Sequence, residues 1–280
     1  MPPSAAEPAA PVQAGTRTVE AQPPAEKQRA PVARRLLGAA DRAAFEALTT
    51  RLGGRVGLAL APLRDPDTVQ VVGRLRTGVA WSTSKVPVAV AAVEAGTAPA
   101  ASLRAAITAS DNVAATRLWA SLGTATAAAS AATEVLRAGG DATTQIESRT
   151  LRPGFTPFGQ TTWRLADQVR YAARLSCTPA GRRVRTLMGQ VVAGQRWGIA
   201  GLPGARVKGG WGPGVSAGRA GGYLVRQFGT VRHRGGTVVV AVAATAADLG
   251  GGVRKLDAIA DWVSARAGAP GAEGRDAADR

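Results

Sequence analysis

Apolar positions along the chain change their period several times. Over 36–52 they recur at helical spacing, with Phe45, Leu48 and Leu52 on one face, and Gly53-Gly54 stops the run. Residues 55–61 and 68–72 are short runs of strand type, parted by Pro62 and the turn residues Asp65-Pro66-Asp67. A helix follows from Ser82 to about Ala95, ended by Gly96 and Pro99; Pro87 falls near its first turn, where a helix tolerates proline. Helical spacing continues over 102–108, over 112–122 through Ala115, Leu118, Trp119 and Leu122, and over the alanine-rich 124–138. Residues 139–160 have no period and carry Pro153, Gly154, Pro157 and Gly159, which reads as a long loop of the kind that usually has a function. Two more helices are predicted at 164–175 and 183–192, the second with Val184, Leu187, Met188 and Val191 in phase. The last third turns to strands at 205–211, 222–231 and 237–244, then to a helix marked by Leu256, Ile259, Ala260 and Val263. Strands therefore flank a helical middle. The pattern predicts an α+β fold: an antiparallel sheet covered by the N- and C-terminal helices, beside an all-helical subdomain at about 82–200.

Composition divides the chain further. Residues 1–35 are rich in Pro, Ala, Glu and Gln without apolar periodicity and are expected to be disordered; 36–268 form the folded domain and 269–280 a flexible tail. No signal-peptide core is visible in the first segment, and no apolar run approaches the length of a membrane span. The net charge is +16, but the arginines are scattered, aromatics make up 4% of residues, and no nucleic-acid-binding motif accompanies them. The reading is an arginine-rich composition with no nucleic-acid partner. Cys177 is the single cysteine, so no intrachain disulfide can form; it follows an apolar segment and is expected to be a buried structural thiol. His233 is the single histidine and falls in a turn between two strands, which leaves neither a Ser-His-Asp triad nor a zinc site. No metal and no cofactor are expected.

Candidate chemistry begins at Trp81-Ser82-Thr83-Ser84-Lys85. Residues three apart on a helix share a face. A serine hydroxyl is a poor nucleophile until a base takes its proton. Lysine can be that base when burial lowers its pKa, whereas arginine stays protonated. Only four of the chain's 35 basic residues are lysines, and Lys85 is one of them. Read alone, the same stretch fits a helix-capping serine and a solvated lysine. Ser110-Asp111-Asn112, which alone reads as a helix N-cap, and Lys208-Gly209-Gly210 then follow in order.

The succession S-x-x-K, S-D-N, K-x-G resembles the penicillin-recognising serine hydrolases, the class A β-lactamases and penicillin-binding proteins, over about 36–268. The resemblance implies the same fold, with the site between its two parts. It implies Ser82 as acylated nucleophile, Lys85 as base or proton relay, Ser110 as proton carrier to the leaving nitrogen and Asn112 as a substrate-amide contact. It also implies Lys208 on the far wall, and an oxyanion hole from the backbone N–H groups of Ser82 and Trp211, with Gly210 between them and Lys208.

The sequence departs from the pattern in three places. Gly209 lacks the hydroxyl that the usual middle Thr or Ser offers a substrate carboxylate, a loss for which Arg219 is the candidate replacement. Only 28 positions separate Ser82 from Ser110 (82 to 110), about half the family spacing, so one wall of the cleft should be cut down. Glu147 is the candidate deacylating base, against a reading as a loop carboxylate paired with a nearby arginine. The resemblance thus implies a small-molecule β-lactam or cell-wall peptide as substrate, a monomer, and action outside the cytoplasm. Three functions stay open: a β-lactamase-type hydrolase, a D-alanyl peptidase-like or slowly deacylating penicillin-binding protein, and a non-catalytic binding domain.

Overall fold

The alternation of side chains in β7 (Gly236–Ala246) shows how the sheet is covered. Val238, Val240, Val242 and Ala244 join one apolar cluster, and Val239, Ala241 and Ala243 join another. Successive strand residues point to opposite faces, so both faces of the sheet are buried. β1 (Val56–Pro62) repeats the rule, with Leu58 and Leu60 on one side and Ala59 and Ala61 on the other.

This is a computed structural model in which residues 36–214, 222–233 and 236–266 are described. The expectations for 1–35 and 269–280 lie outside the described residues. With β2 (Gln70–Gly73), β5 (Arg206–Pro213) and β6 (Tyr223–His233), the main sheet runs β2-β1-β7-β6-β5, every pair antiparallel. α1 (Ala39–Leu52) and α8 (Leu249–Arg266) cover one face with Phe45, Leu48, Leu256, Ile259 and Val263, and the rings of Phe45 and Trp262 meet edge to face at 5.0 Å. The opposite face is built of small residues at its centre. There α6 (Leu165–Arg174) lies against the sheet, and the rest of the helical part packs beyond it: α2 (Lys85–Glu94), α3 (Ala100–Thr108), α4 (Asn112–Ala120), α5 (Ala125–Ala138) and α7 (Pro179–Met188). Local signals set several helix starts. Asp111 caps α4 by accepting from Ala114 N at 2.7 Å, and Thr124 caps α5 through Ala127 N at 3.2 Å. The α+β prediction, with its antiparallel sheet between terminal helices and a helical middle, matches this architecture.

Three details differ from expectation. A second small sheet pairs β3 (Thr77–Val79) with β4 (Thr162–Arg164); three residues each are too few to show a period. The helix expected at 183–192 starts at Pro179, where Thr178 accepts from Gly181 N at 3.0 Å, and stops at Met188 before Gly189. Its tail leaves Val192 43% exposed. Cys177 is exposed, not buried: the apolar segment before it ends at Leu175, which packs, and the chain turns outward before α7 begins. α8, marked in the sequence by Leu256, Ile259, Ala260 and Val263, runs back to Leu249 through a glycine-rich first turn that carries no apolar period. His233 ends β6, with its ring Nε2 3.1 Å from Ser264 O. No helix among the described residues is long and apolar enough to cross a membrane.

Candidate active site

β5 is an edge strand of the sheet, and its free side faces the turn that carries Ser82. That turn is a 3-10 segment, Trp81–Ser84, running straight into α2. Trp81 holds φ +48, a conformation rare for a bulky residue. The strain is held by neighbours: Ala80 N donates to Thr161 O at 2.7 Å, Ser84 Oγ to Trp81 O at 2.7 Å, and Gln168 Nε2 to Thr83 Oγ1 at 3.1 Å. A Cβ on Gly210 would stand 2.9 Å from Ser82 N and 2.8 Å from Ala80 O, so only glycine lets β5 come this close to the turn. Gly212 similarly gives its side-chain space to the Trp81 ring. Ser82 is half-buried, and it does not cap a helix.

Lys85 is not a solvated side chain. It is 2% exposed, and its Nζ donates to Asn112 Oδ1 at 2.7 Å, to Ser110 Oγ at 3.3 Å and to the carbonyl of Ser110. Burial lowers its pKa from 10.5 to about 8, against a smaller opposing pull from Asp111. Lys208 approaches Ser110 from the other side: its Nζ lies 2.8 Å from Ser110 Oγ and 2.9 Å from Gly209 O, and it is fully buried. Burial and then the charge of Lys85 push its pKa well below the ordinary value. The Ser110 hydroxyl thus sits between two buried amines, held there by a backbone at φ +59. Residues from α2, from the start of α4 and from β5 therefore meet at one point, and Asn112, although exposed, is tied to it through Lys85.

Glu147 lies on the long loop, whose start is fixed by the buried carboxylate of Asp141. Asp141 accepts from Trp163 Nε1 at 2.7 Å and from Thr144 N at 2.9 Å. Glu147 N donates to Thr161 Oγ1 at 2.9 Å, and Thr161 is the residue whose carbonyl holds Ala80, so the loop is one residue removed from the Ser82 turn. The carboxylate itself is occupied. Oε1 accepts from Ser148 N at 3.1 Å, Arg149 N at 2.9 Å and Arg149 Nε at 3.0 Å, and Oε2 accepts from Arg149 Nη2 at 3.2 Å. These bonds, the Arg149 side chain first, lower its pKa despite partial burial. Arg219 lies outside the described residues.

The sequence reading overlooked Arg226. It is fully buried on β6, opposite Gly210, and its guanidinium donates to Gly78 O, Val79 O, Trp163 O and Gln168 Oε1 at 2.6–3.1 Å. It clamps the two-stranded sheet, and with it the approach to Ser82, onto the main sheet. Burial without a carboxylate partner brings its pKa down to about 9. The available signal was an arginine set in the apolar run 224–228. Among the described residues there is no cluster of His, Cys, Asp and Glu that could hold a metal.

A β-lactamase from Burkholderia vietnamiensis superposes with a TM-score of 0.59 at 20% identity, covering 83% of this chain and 98% of that one. An ancestral class A β-lactamase gives 0.56 at 23% identity over 80% and 98%, and a β-lactamase from Xanthomonas campestris gives 0.55 at 20% over 82% and 98%. The fold is that of the class A β-lactamases. No family model and no curated protein matches the sequence. The class A β-lactamase fold thus extends over nearly the whole length of those chains at a sequence identity that speaks for architecture alone.

Proposed function

We propose that the chain is a serine hydrolase of the β-lactamase type, opening a β-lactam-like cyclic amide through a Ser82 acyl-enzyme. The observation that carries this is Lys85: an amine buried within a helix turn of Ser82, with a pKa of about 8, bonded to a serine that a second buried lysine also holds. In the acylation step neutral Lys85 takes the Ser82 proton as Oγ bonds to the amide carbon. The developing oxyanion is received by the N–H groups of Ser82 and Trp211, each such donor being worth about 3–4 kcal/mol in the transition state. Collapse breaks the C–N bond, and Ser110 passes a proton to the leaving nitrogen, replenished through Lys85. Asn112 and Lys208 hold the substrate on either side.

A second reading is favoured by Glu147. Its carboxylate accepts four N–H bonds, which leaves it a weak base for the water that releases the acyl group. On that reading the protein is acylated and releases slowly, as a penicillin-binding or D-alanyl peptidase-like protein acting in the cell envelope. Incubation with a fluorescent penicillin and a chromogenic cephalosporin tests both. A label on Ser82, absent in Ser82→Ala, supports the shared acylation step; sustained colour supports hydrolysis, and a stoichiometric burst supports slow release. A label mapped to another serine would remove the proposal.

A further inference from the structure

Arginines that look scattered along the sequence gather on one side of the fold. No aspartate or glutamate occurs between Asp167 and Asp248, while arginines recur throughout that stretch. It supplies α7, β5 and β6. α3, which packs against α7, has no acidic residue either. Two adjoining cavities of about 320 Å³ and 350 Å³ open here, and Thr186 and Gln190 line both. Arg104 of α3 and Arg183 of α7 line the first, and Arg206 at the start of β5 lines the second. Arg185 stands close by: burial, and then the charge of Arg206, lower its pKa. Among the described residues none of these four arginines forms an ion pair. Arg104 Nη1 donates to Gln190 Oε1 at 2.9 Å and Arg185 Nη2 to Thr230 Oγ1 at 3.2 Å, both neutral acceptors. The backbone beneath is fixed, with Gln190 N donating to Leu187 O at 2.8 Å and Val192 N to Thr108 O at 3.0 Å. Ser82, Lys85, Ser110 and Lys208 line neither cavity.

Like charges held together without carboxylates repel one another, and a bound anion relieves the repulsion. The guanidinium fork suits phosphate. Two cavities in a row, each with its own arginine, suit several linked phosphates better than one. No aromatic residue lines either cavity, so nucleic-acid bases find no stacking surface there. Arg206 is half-buried, within reach of a thin flexible chain but set back from a flat bilayer. We propose that the trough between α3, α7 and the start of β5 binds a flexible linear chain of linked phosphate groups through Arg104, Arg183 and Arg206. This goes beyond the Ser82 reading and does not depend on it. Such a contact tethers the protein to a polyanion and leaves the Ser82 site open.

The test titrates the full chain with fluorescently labelled linear polyphosphate, read by anisotropy between about 50 mM and 200 mM salt. The parent should bind, with log affinity falling linearly against log salt. Arg183→Gln/Arg206→Gln should lose at least about tenfold in affinity and flatten the salt slope by about one to two, the share of two phosphate contacts. The control Arg42→Gln/Arg51→Gln removes the same charge from α1, on the far face of the sheet, and should lose less than about twofold. Thermal unfolding checks each fold. If the pair containing Arg206 does not fold, Arg104→Gln/Arg183→Gln, both exposed, carries the same expectation. A parent that does not bind polyphosphate overturns the proposal. So does a control that loses as much as the trough pair, which would assign the binding to net charge. Single-stranded DNA of equal phosphate number binding more tightly than polyphosphate overturns it in favour of nucleic acid. Capture of the parent by anionic phospholipid vesicles, lost in the trough pair and not competed by polyphosphate, overturns it in favour of a membrane surface.

Discussion

Replacing Lys85 tests the acylation step most directly, and its size can be worked from burial. An ordinary lysine of pKa 10.5 is unprotonated in about one molecule in three thousand at pH 7, whereas one of pKa about 8 is unprotonated in about a tenth, a gain of roughly 300-fold in available base. Because the active form is the neutral amine, the acylation rate should rise about tenfold per pH unit below about 8 and level off above it. Lys85→Arg keeps the charge but cannot release it, so acylation should fall at least about a hundredfold. Stopped-flow labelling with a fluorescent penicillin from pH 6 to pH 9.5 measures both. The same shift has a thermodynamic sign. The folded pKa lies below the unfolded one, so between about pH 8 and 10.5 the unfolded chain holds more protons and stability rises with pH; below about 8 the penalty is constant. Lys208, shifted the same way and in part by the charge of Lys85, adds slope of the same sign, so the difference between parent and Lys85→Met reports the two coupled lysines together. A flat acylation profile across pH 7–9, or near-normal acylation by Lys85→Arg, would refute the assignment of Lys85 as base.

Three further outcomes are expected. Glu147→Gln should leave acylation fast and make the adduct persist, with release slowed by about a hundredfold or more; release at the parent's rate would assign Glu147 to anchoring the loop through Arg149. Gly210→Ala puts a Cβ against Ser82 N and Ala80 O and must displace β5, so acylation should drop about a hundredfold while circular dichroism stays native; parent-like labelling would show that the approach of β5 is not critical. Arg226→Met removes the donors to three buried carbonyls and Gln168 Oε1, and should cost about 3 kcal/mol or more in urea unfolding; a loss under about 1 kcal/mol would mean the clamp is relieved by water or repacking.

Much of the fold was legible because its signals are local. The short apolar runs of β1 and β7, and the helical phase of Phe45 with Leu48 or of Ala115 with Leu118, can be read within one segment. The Asp111 cap acts within one turn and was one reading of its stretch, whereas the Thr178 cap went unread and its helix was expected only from 183. What was missed had too little sequence to carry a period, as in β3 and β4, or ran against composition. Cys177 follows an apolar stretch yet is exposed, because burial is decided by which way the chain turns after Leu175.

The order of Ser82, Lys85, Ser110 and Lys208 suggested the chemistry through its resemblance to the penicillin-recognising serine hydrolases; read alone, the residues also fitted a helix cap and a solvated lysine. Whether they could act together was a matter for the tertiary structure alone. Lys85 has a pKa of about 8 because α2 is buried among other helices, and Ser110 lies between two amines because β5 closes on the start of α4. Gly209 appeared in the sequence as a missing hydroxyl; in the structure a Cβ there would stand 3.3 Å from Cη2 of Trp197. Arg226 appeared as an arginine in a strand, and it holds the chain leading to Ser82. Local sequence sets backbone period and side-chain type. Burial, and with it basicity and distance, depends on segments far apart in the chain, and only their packing decides it.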